Sequence, residues 1–462
     1  MNTPDARRKV KSKQAIALAI TTLATGFLSA GCNSPSNTTG QNNPTPTATS
    51  TATTTPAPST PAATTASAPA AGGTGLKIGS LLPVTGDLSS IGQALPEPIR
   101  LAVDTVNKCG GVNGQPVAYV PEDDQTAPEA GTIAMTKLTE SDKVAGVIGS
   151  FPSSVSSAAA PIAARSKVMM ISPGSTSPVF TENAKKGQYQ GFWARTAPPD
   201  TYQAQALAKL ASDKGFKRVS TIVINNDYGV GFEKEFVQAF KKLGGTVVNE
   251  TKPTRYDAKA ATFESEAAAA FNGKPEAIAA ILYAETGSLF LKAAYQQGLS
   301  QGAQIMLTDG VYSSTFPEQV GKDESGKYIL AGAVGTVPGA NGPALGDFTK
   351  FWNEKTNGKQ IGPYVPQTWD AAVLMMLSAQ AAKSNTGEGI KSKLREVANA
   401  PGTEVTDACK ALELLKKGED INYQGASSNV DIDENGDVVG SYDVWAVQPD
   451  GKVAVTGKVS PK

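Results

Sequence analysis

From Leu76 onward the chain alternates short apolar runs with longer stretches in which apolar residues recur every three or four positions. LKIGSLLP, VAGVIGS, KVMMISP, RVSTIVIN, AIAAILYA and AQIMLTDG are β-branched or fully apolar, and each ends near Gly, Pro, Ser or Asp. Runs apolar on both faces belong to parallel strands covered by helices on either side. Between them Ile99, Val103 and Val106, then Phe232, Phe236 and Phe240, then Leu291, Ala294 and Tyr295 fall on helical faces. This βαβ alternation predicts an α/β fold with doubly wound sheets. About 390 residues follow Gly75, too many for one such sheet, so two lobes are expected. In open α/β sheets ligands sit beyond the carboxyl ends of the strands, so the loops there are where chemistry is sought.

The first 75 residues depart from this pattern. Residues 1–31 read as an export signal: Arg7, Arg8, Lys9, Lys11 and Lys13 precede an uncharged stretch from Gln14 to Gly31. Its apolar part is too short to span a bilayer comfortably, and no later stretch reaches 18 apolar residues. The signal ends in Leu28-Ser29-Ala30-Gly31-Cys32, which resembles the lipobox of bacterial lipoproteins. That resemblance implies cleavage behind Gly31 and lipidation of Cys32. From Asn33 to Gly75 there is no charged, aromatic or large aliphatic residue. Such a segment cannot offset chain entropy by burying apolar surface, so residues 32–75 are expected to form a disordered tether, spanning about 35–40 Å as a flexible coil.

Charge and composition narrow the function. The full chain balances 42 basic against 42 acidic residues; without residues 1–31 it has 37 against 41, a net charge of −4. A mildly acidic body lacks the basic field of a nucleic-acid binder. With no histidine there is no Ser-His-Asp triad, imidazole base or His-ligated metal, and there is no Ser-x-x-Lys. The cysteines at 32, 109 and 409 form no C-x-x-C pair. Neither a catalytic activity nor a cofactor or metal is therefore expected. Gly321 to Lys327 has P-loop spacing but is followed by Tyr328, and Asp431, Asp433, Asn435 and Gly436 open like a calcium loop whose twelfth position is Tyr442; both read as turns.

Two loops after consecutive strands carry small hydroxyl residues, Gly149 to Ser154 and Gly174 to Ser177. Hydroxyls and free N–H groups at helix N-termini suit an anion, although each loop alone is as consistent with ordinary capping. Tyr228 follows another strand, and Asp309, at the end of a further one, is placed to accept a ligand ammonium or to form an Asp-Gly turn. Glu285 sits similarly, as a ligand group or a helix cap.

IGSLLPVTGDLSSIGQ, GGVNGQPV, GVIGSFPSSVSSAAAPIAARSKVMMISPGSTSP and NNDYGVGF, in this order, resemble the periplasmic leucine/isoleucine/valine-binding protein family, the type I solute-binding proteins of ATP-driven (ABC-type) uptake systems. The resemblance runs from about Leu76 to the C-terminus. It implies two lobes joined by three crossovers, near Arg195-Thr196, Gly335-Thr336 and Tyr442 to Val444, with residues 76–196 and 337–442 in lobe I and 197–336 and 443–462 in lobe II. The family's carboxylate-binding serine falls on Ser153, or on Ser154 if the loop shifts by one, and its second carboxylate turn on Gly174, Ser175 and Thr176. Tyr228 matches the tyrosine of the second lobe and Asp309 the acid that holds the α-ammonium, where the family carries Glu. With the shorter Asp, either the ligand sits closer to lobe II or a water intervenes. The tryptophan that floors the family's side-chain pocket falls on Ile91, and the facing aromatic on Tyr364, which leaves room for another neutral amino acid. Glu285 near this cleft could add specificity for a basic ligand.

The resemblance thus implies a monomeric extracytoplasmic protein, lipid-anchored to a bacterial membrane, that delivers a neutral amino acid to the membrane subunits of an ABC permease. Ligand sensing on the same fold, for urea, short amides or another amino-acid class, is the alternative; the lipobox and tether favour delivery. In an exported chain Cys109 and Cys409, both expected in lobe I, form a disulfide.

Overall fold

The structure of the chain, a computed structural model, describes residues 75–460. The expected export signal, Cys32 and all but the last residue of the expected tether lie outside them. Strands β1 (Lys77–Leu82), β2 (Ala118–Asp123), β3 (Gly146–Gly149), β4 (Met169–Ser172) and β5 (Trp193–Arg195) form a parallel sheet in the order β2-β1-β3-β4-β5. Strands β3 and β4 are buried along their whole length, as fully apolar runs between two helical layers must be. No such run marks β2, an edge strand in which no residue is fully buried; Pro121 is tolerated there because an edge leaves a backbone N–H position unpaired.

A second sheet begins with β6 (Arg218–Ile224), β7 (Thr246–Val247), β8 (Thr254–Tyr256), β9 (Ala277–Ile281), β10 (Gln304–Leu307) and β11 (Val334–Pro338). These are parallel in the order β7-β6-β9-β10-β11, with β8 also pairing β6. Phe232, Phe236 and Phe240 of the helix Asp227–Lys242 are fully buried, each contributing about 1.5–3 kcal/mol of transfer free energy.

After β11 the chain returns to the first sheet, where the helix Val365–Ala381 packs on β3, β4 and the helix Pro96–Lys108. A short parallel pair, β12 (Thr403–Val405) and β13 (Ile421–Tyr423), follows, flanking the helix Ala408–Lys416. A disulfide joins Cys409 in that helix to Cys109 at the end of Pro96–Lys108, with Cα atoms 5.6 Å apart. The chain then rejoins the second sheet as β14 (Tyr442–Val447) and β15 (Val453–Val459). Here the architecture departs from wholly parallel lobes: β14 runs antiparallel to β11 and β15 antiparallel to β14. A tight turn over Gln448 to Lys452 joins them, and antiparallel strands need no helical crossover.

The first sheet places β2 on one side of β1 and β3 on the other, and the second places β7 and β8 on one side of β6 and β9 on the other. In that order the connections diverge from between strands one and three, opening a crevice at their carboxyl ends. The relevant loops follow β1 and β3 in one sheet and β6 and β9 in the other. No helix among the described residues is long and apolar enough to cross a membrane.

Candidate functional site

The two crevices face one another. Leu88 after β1, Phe151 and Ser153 after β3 and Gly174 after β4 meet Tyr228 after β6, Tyr283 after β9 and Asp309 after β10 around a cavity of about 220 Å³. The walls are close: little of this space is wide enough for more than about one water.

One end of the cavity is built for a cation. Asp309 is buried, and its carboxylate accepts hydrogen bonds from Gln203 Nε2 (2.8 Å), the Tyr228 hydroxyl (2.9 Å) and the Tyr364 hydroxyl (2.7 Å). Burial raises its pKa and these three donors oppose the rise. On the face of the helix Asp200–Asp213 that carries Gln203 lies Asp200, fully buried, with neither oxygen in good hydrogen-bond geometry to any donor. Burial first, then the charge on Asp309, push Asp200 well above the carboxylate range, opposed by the Thr176 hydroxyl and the Arg195 charge. With three donors on Asp309 and none well placed on Asp200, the negative charge of the pair rests on Asp309.

The other end is built for an anion. Pro152, extended and without a capping side chain, opens the helix Ser153–Arg165, so an uncapped helix N-terminus lies at the cavity that Pro152 and Ser153 line. Behind them the Ser150 carbonyl accepts from the hydroxyls of Ser156 (3.0 Å), Ser172 (2.6 Å) and Ser175 (3.0 Å), while the Ser150 hydroxyl donates to buried Asp124 (2.9 Å). Burial lifts Asp124 to a pKa of about 7. Arg195, fully buried, donates from Nη1 to the carbonyls of Ser175 (2.9 Å) and Ser177 (3.0 Å) and pairs through Nε with Asp437 (2.7 Å). It thus fixes the second hydroxyl turn from behind and places a positive charge beneath it.

The expected residues divide accordingly. Ser153, Gly174, Tyr228 and Asp309 line the cavity, and Tyr364 reaches it through its bond to Asp309. The Ser153 hydroxyl also accepts from the Ser177 N–H (3.3 Å), while Ser154, half-buried, does not line the closed cavity. Ser175 turns its hydroxyl inward to the Ser150 and Phe151 carbonyls, and the Gly174 and Ser175 N–H groups lie 3.3 and 2.8 Å from Ser172 Oγ. Thr176 is buried facing Asp200. Ile91 belongs to the hydrophobic core, one turn beyond Leu88, which takes the wall position instead. Glu285 accepts from Ser89 Oγ (3.2 Å) and Gln319 Nε2 (2.7 Å), so its carboxylate bridges the lobes and does not line the cavity.

The apolar walls are residues that the sequence did not single out. Phe151 meets Tyr364 edge-on at 4.8 Å, and Tyr283 stacks on Tyr228 at 5.7 Å. Gly174 is required by this packing, because a Cβ there would lie 2.2 Å from the Phe151 ring.

A larger open groove of about 1,240 Å³ runs outside the helix Asp227–Lys242. Its buried acid, Glu233, is satisfied by Thr221 (2.7 Å) and Arg255 (2.9 and 3.1 Å). The P-loop-like segment folds its amides onto Asp323, which accepts from Ser325 and Lys327 N–H, both at 2.9 Å. In the calcium-like segment Asp433 accepts from the N–H groups of Asn435 (2.8 Å) and Asp437 (2.9 Å), and Asp437 is held by Arg195 and Thr181. Among the described residues there is no acidic or thiol cluster able to hold a metal.

Residues 96–450 match the family described as receptor family ligand binding region. The chain is 26% identical over 367 residues to the chemotactic signal transduction system substrate-binding protein BasB of Halobacterium salinarum, covering 78% of this chain and 84% of that one. It is 27% identical over 327 residues to Leu/Ile/Val-binding protein homolog 1 of Brucella suis, covering 69% and 82%. Among solved structures, leucine binding protein LivK of Thermotoga maritima superposes with a TM-score of 0.69 at 26% identity, covering 84% of this chain and 99% of that one.

Proposed function

The chain belongs to the receptor family ligand binding region, and from that membership and the polarity of its cleft we propose that it captures a neutral amino acid between its lobes. Its fold is that of the type I periplasmic solute-binding proteins. The carrying observation is the opposition of a buried, donor-rich carboxylate, Asp309, to an uncapped helix N-terminus with Ser153. A cation site and an anion site across an apolar-walled gap match the zwitterion of an α-amino acid, which the gap admits once the lobes part. Leu88, Phe151 and Tyr283 take the side chain, and the shortness of Asp309 draws the ammonium toward lobe II. The neighbours named for leucine and for Leu/Ile/Val binding support a branched-chain or similar neutral ligand.

Lobe I in this reading comprises residues 76–196 and 337–442 and lobe II residues 197–336 and 443–462, hinged at their three crossings, except that Val337, Pro338 and Tyr442 pair within the second sheet and so go with lobe II. Ligand enters the open form and selects the closed one. Lipid on Cys32 and the 32–75 tether keep the body near a membrane, where an ABC permease takes the cargo. A thermal-shift screen of the twenty amino acids, urea, short amides and benzoate tests the assignment; a ligand at 100 times its Kd adds about 2.7 kcal/mol. A stabilising amino acid whose des-amino analogue is inert is expected. Stabilisation by carboxylates that lack an ammonium contradicts the reading.

A second reading, ligand sensing, is favoured by the similarity to the chemotactic substrate-binding protein. Reconstitution with the permease separates the two, since only delivery raises ATP hydrolysis by the transporter.

A further inference from the structure

The helix Ala284–Gln296 of the second lobe begins without a cap of its own: Tyr283 stands at the N-cap position with no capping side-chain bond, and within that lobe the Tyr256 hydroxyl accepts only the Tyr283 N–H (3.1 Å) and the Thr286 hydroxyl (3.3 Å), no first-turn N–H. The missing cap comes from the opposite lobe, 199 positions away in sequence. Asp87, in the loop after β1, accepts the Thr286 N–H through Oδ1 (2.7 Å) and the Thr286 hydroxyl through Oδ2 (2.6 Å). The Glu285 N–H approaches the Asp87 carbonyl at 3.4 Å, and Ser89 Oγ donates to Glu285 (3.2 Å). Both carboxylate oxygens of Asp87 are thus engaged across the cleft, at a helix end whose partial positive charge favours an anion. The next residue, Leu88, lines the ligand cavity, and its N–H is tied to the Thr126 hydroxyl (3.1 Å).

We propose that Asp87 is a positioning residue for ligand capture, capping the helix Ala284–Gln296 in trans so that lobe closure and the seating of Leu88 over the ligand become one event. When the lobes part, the helix loses its cap and the Asp87 carboxylate its donors. When they shut, both are satisfied and Leu88 completes the wall. Asp87 touches no ligand; it sets how long the ligand stays. The ligand effect rests on the amino-acid reading above, whereas the closure effect does not.

The test uses the mature chain carrying Asp87→Ala, Asp87→Asn or Thr286→Val. In ligand-free protein, hydrogen exchange of the segment 284–296 and the small-angle scattering radius report closure directly. Asp87→Ala is expected to speed exchange in the first turn of that helix and to enlarge the radius, with Asp87→Asn between it and wild type because the amide oxygen still accepts one N–H. With the amino acid identified by thermal shift, Asp87→Ala weakens affinity about tenfold, almost wholly through faster dissociation. Adding Thr286→Val to Asp87→Ala gives little further loss, because the two act as one contact. Unchanged exchange and radius in Asp87→Ala overturn the proposal, as does a loss confined to the association rate. If no amino acid binds wild type while exchange and radius still respond to Asp87, the latch stands and the amino-acid assignment falls.

Discussion

Replacing Asp309 by Asn separates binding from folding. The carboxylate sits at 4% exposure among three donors, so burial disfavours its charge and a bound ammonium compensates it. Asn keeps the shape and one acceptor oxygen but not the charge. The lost charged hydrogen bond is worth about 1.5–3 kcal/mol, and an ammonium left unpaired in a dry cleft costs more, about 3–5 kcal/mol. Affinity is therefore expected to fall by about two to three orders of magnitude. Stability without ligand moves the other way or not at all, because a desolvated charge has gone. Asp309→Ala behaves differently: it orphans the Tyr364 hydroxyl and one N–H of Gln203, whose other contact is the Thr336 carbonyl, while the Tyr228 hydroxyl keeps Thr308; at about 1–3 kcal/mol for each donor left without solvent or partner, this lowers the ligand-free Tm. Calorimetry with the amino acid that gives the largest thermal shift reads affinity, and melting without ligand reads stability. Asn at this position with affinity within threefold of wild type refutes the assignment of the cation site.

Three further expectations follow from geometry already described. Gly174→Ala drives a Cβ into the Phe151 ring, so calorimetric affinity should drop at least tenfold with a smaller loss in melting temperature. Replacing Cys109 and Cys409 together by Ser opens a loop of 300 residues; urea unfolding should show a loss of about 3–5 kcal/mol, and ligand affinity should be retained. Asp124, with a folded pKa of about 7 against an unfolded value near 3.8, binds more protons when folded, so its contribution is complete below about pH 4 and is lost as pH rises to 7. Across that window wild type should lose about 3–4 kcal/mol relative to Asp124→Asn, read as urea midpoints between pH 4 and 8; parallel profiles count against it.

The buried parallel strands were legible because being covered on both faces leaves a continuous apolar run, as in VAGVIGS and AIAAILYA. The edge strand Ala118–Asp123 was not, since half its surface is open and a proline interrupts it. In the site, groups that must be polar at a strand end, Ser153, Tyr228 and Asp309, stood out. The walls did not: Leu88 and Ile91 are both apolar and one turn apart, and the orientation of the short helix Ser89–Gly92 decides which faces the cleft. Phe151 has no polar atom to flag it, and Tyr283 ends an otherwise apolar run, Ala277 to Leu282, that reads as core strand. From sequence Arg195 marks only a crossover; its role needs the carbonyls of Ser175 and Ser177 and the carboxylate of Asp437, 242 positions away.

The return of the chain to its first sheet fixes an order of assembly. Strands β6 to β11 are consecutive, so the parallel core of the second lobe is complete once residue 338 has emerged. The first lobe, although its sheet leads the sequence, lacks the helix Val365–Ala381 that covers β3 and β4, and the cysteine partner of Cys109, until the last quarter of the chain arrives. As the chain emerges from its N-terminus, the lobe whose sheet comes first therefore waits longest with its apolar strands exposed, and a chain truncated before Val365 strands that half while leaving the second lobe's parallel core intact.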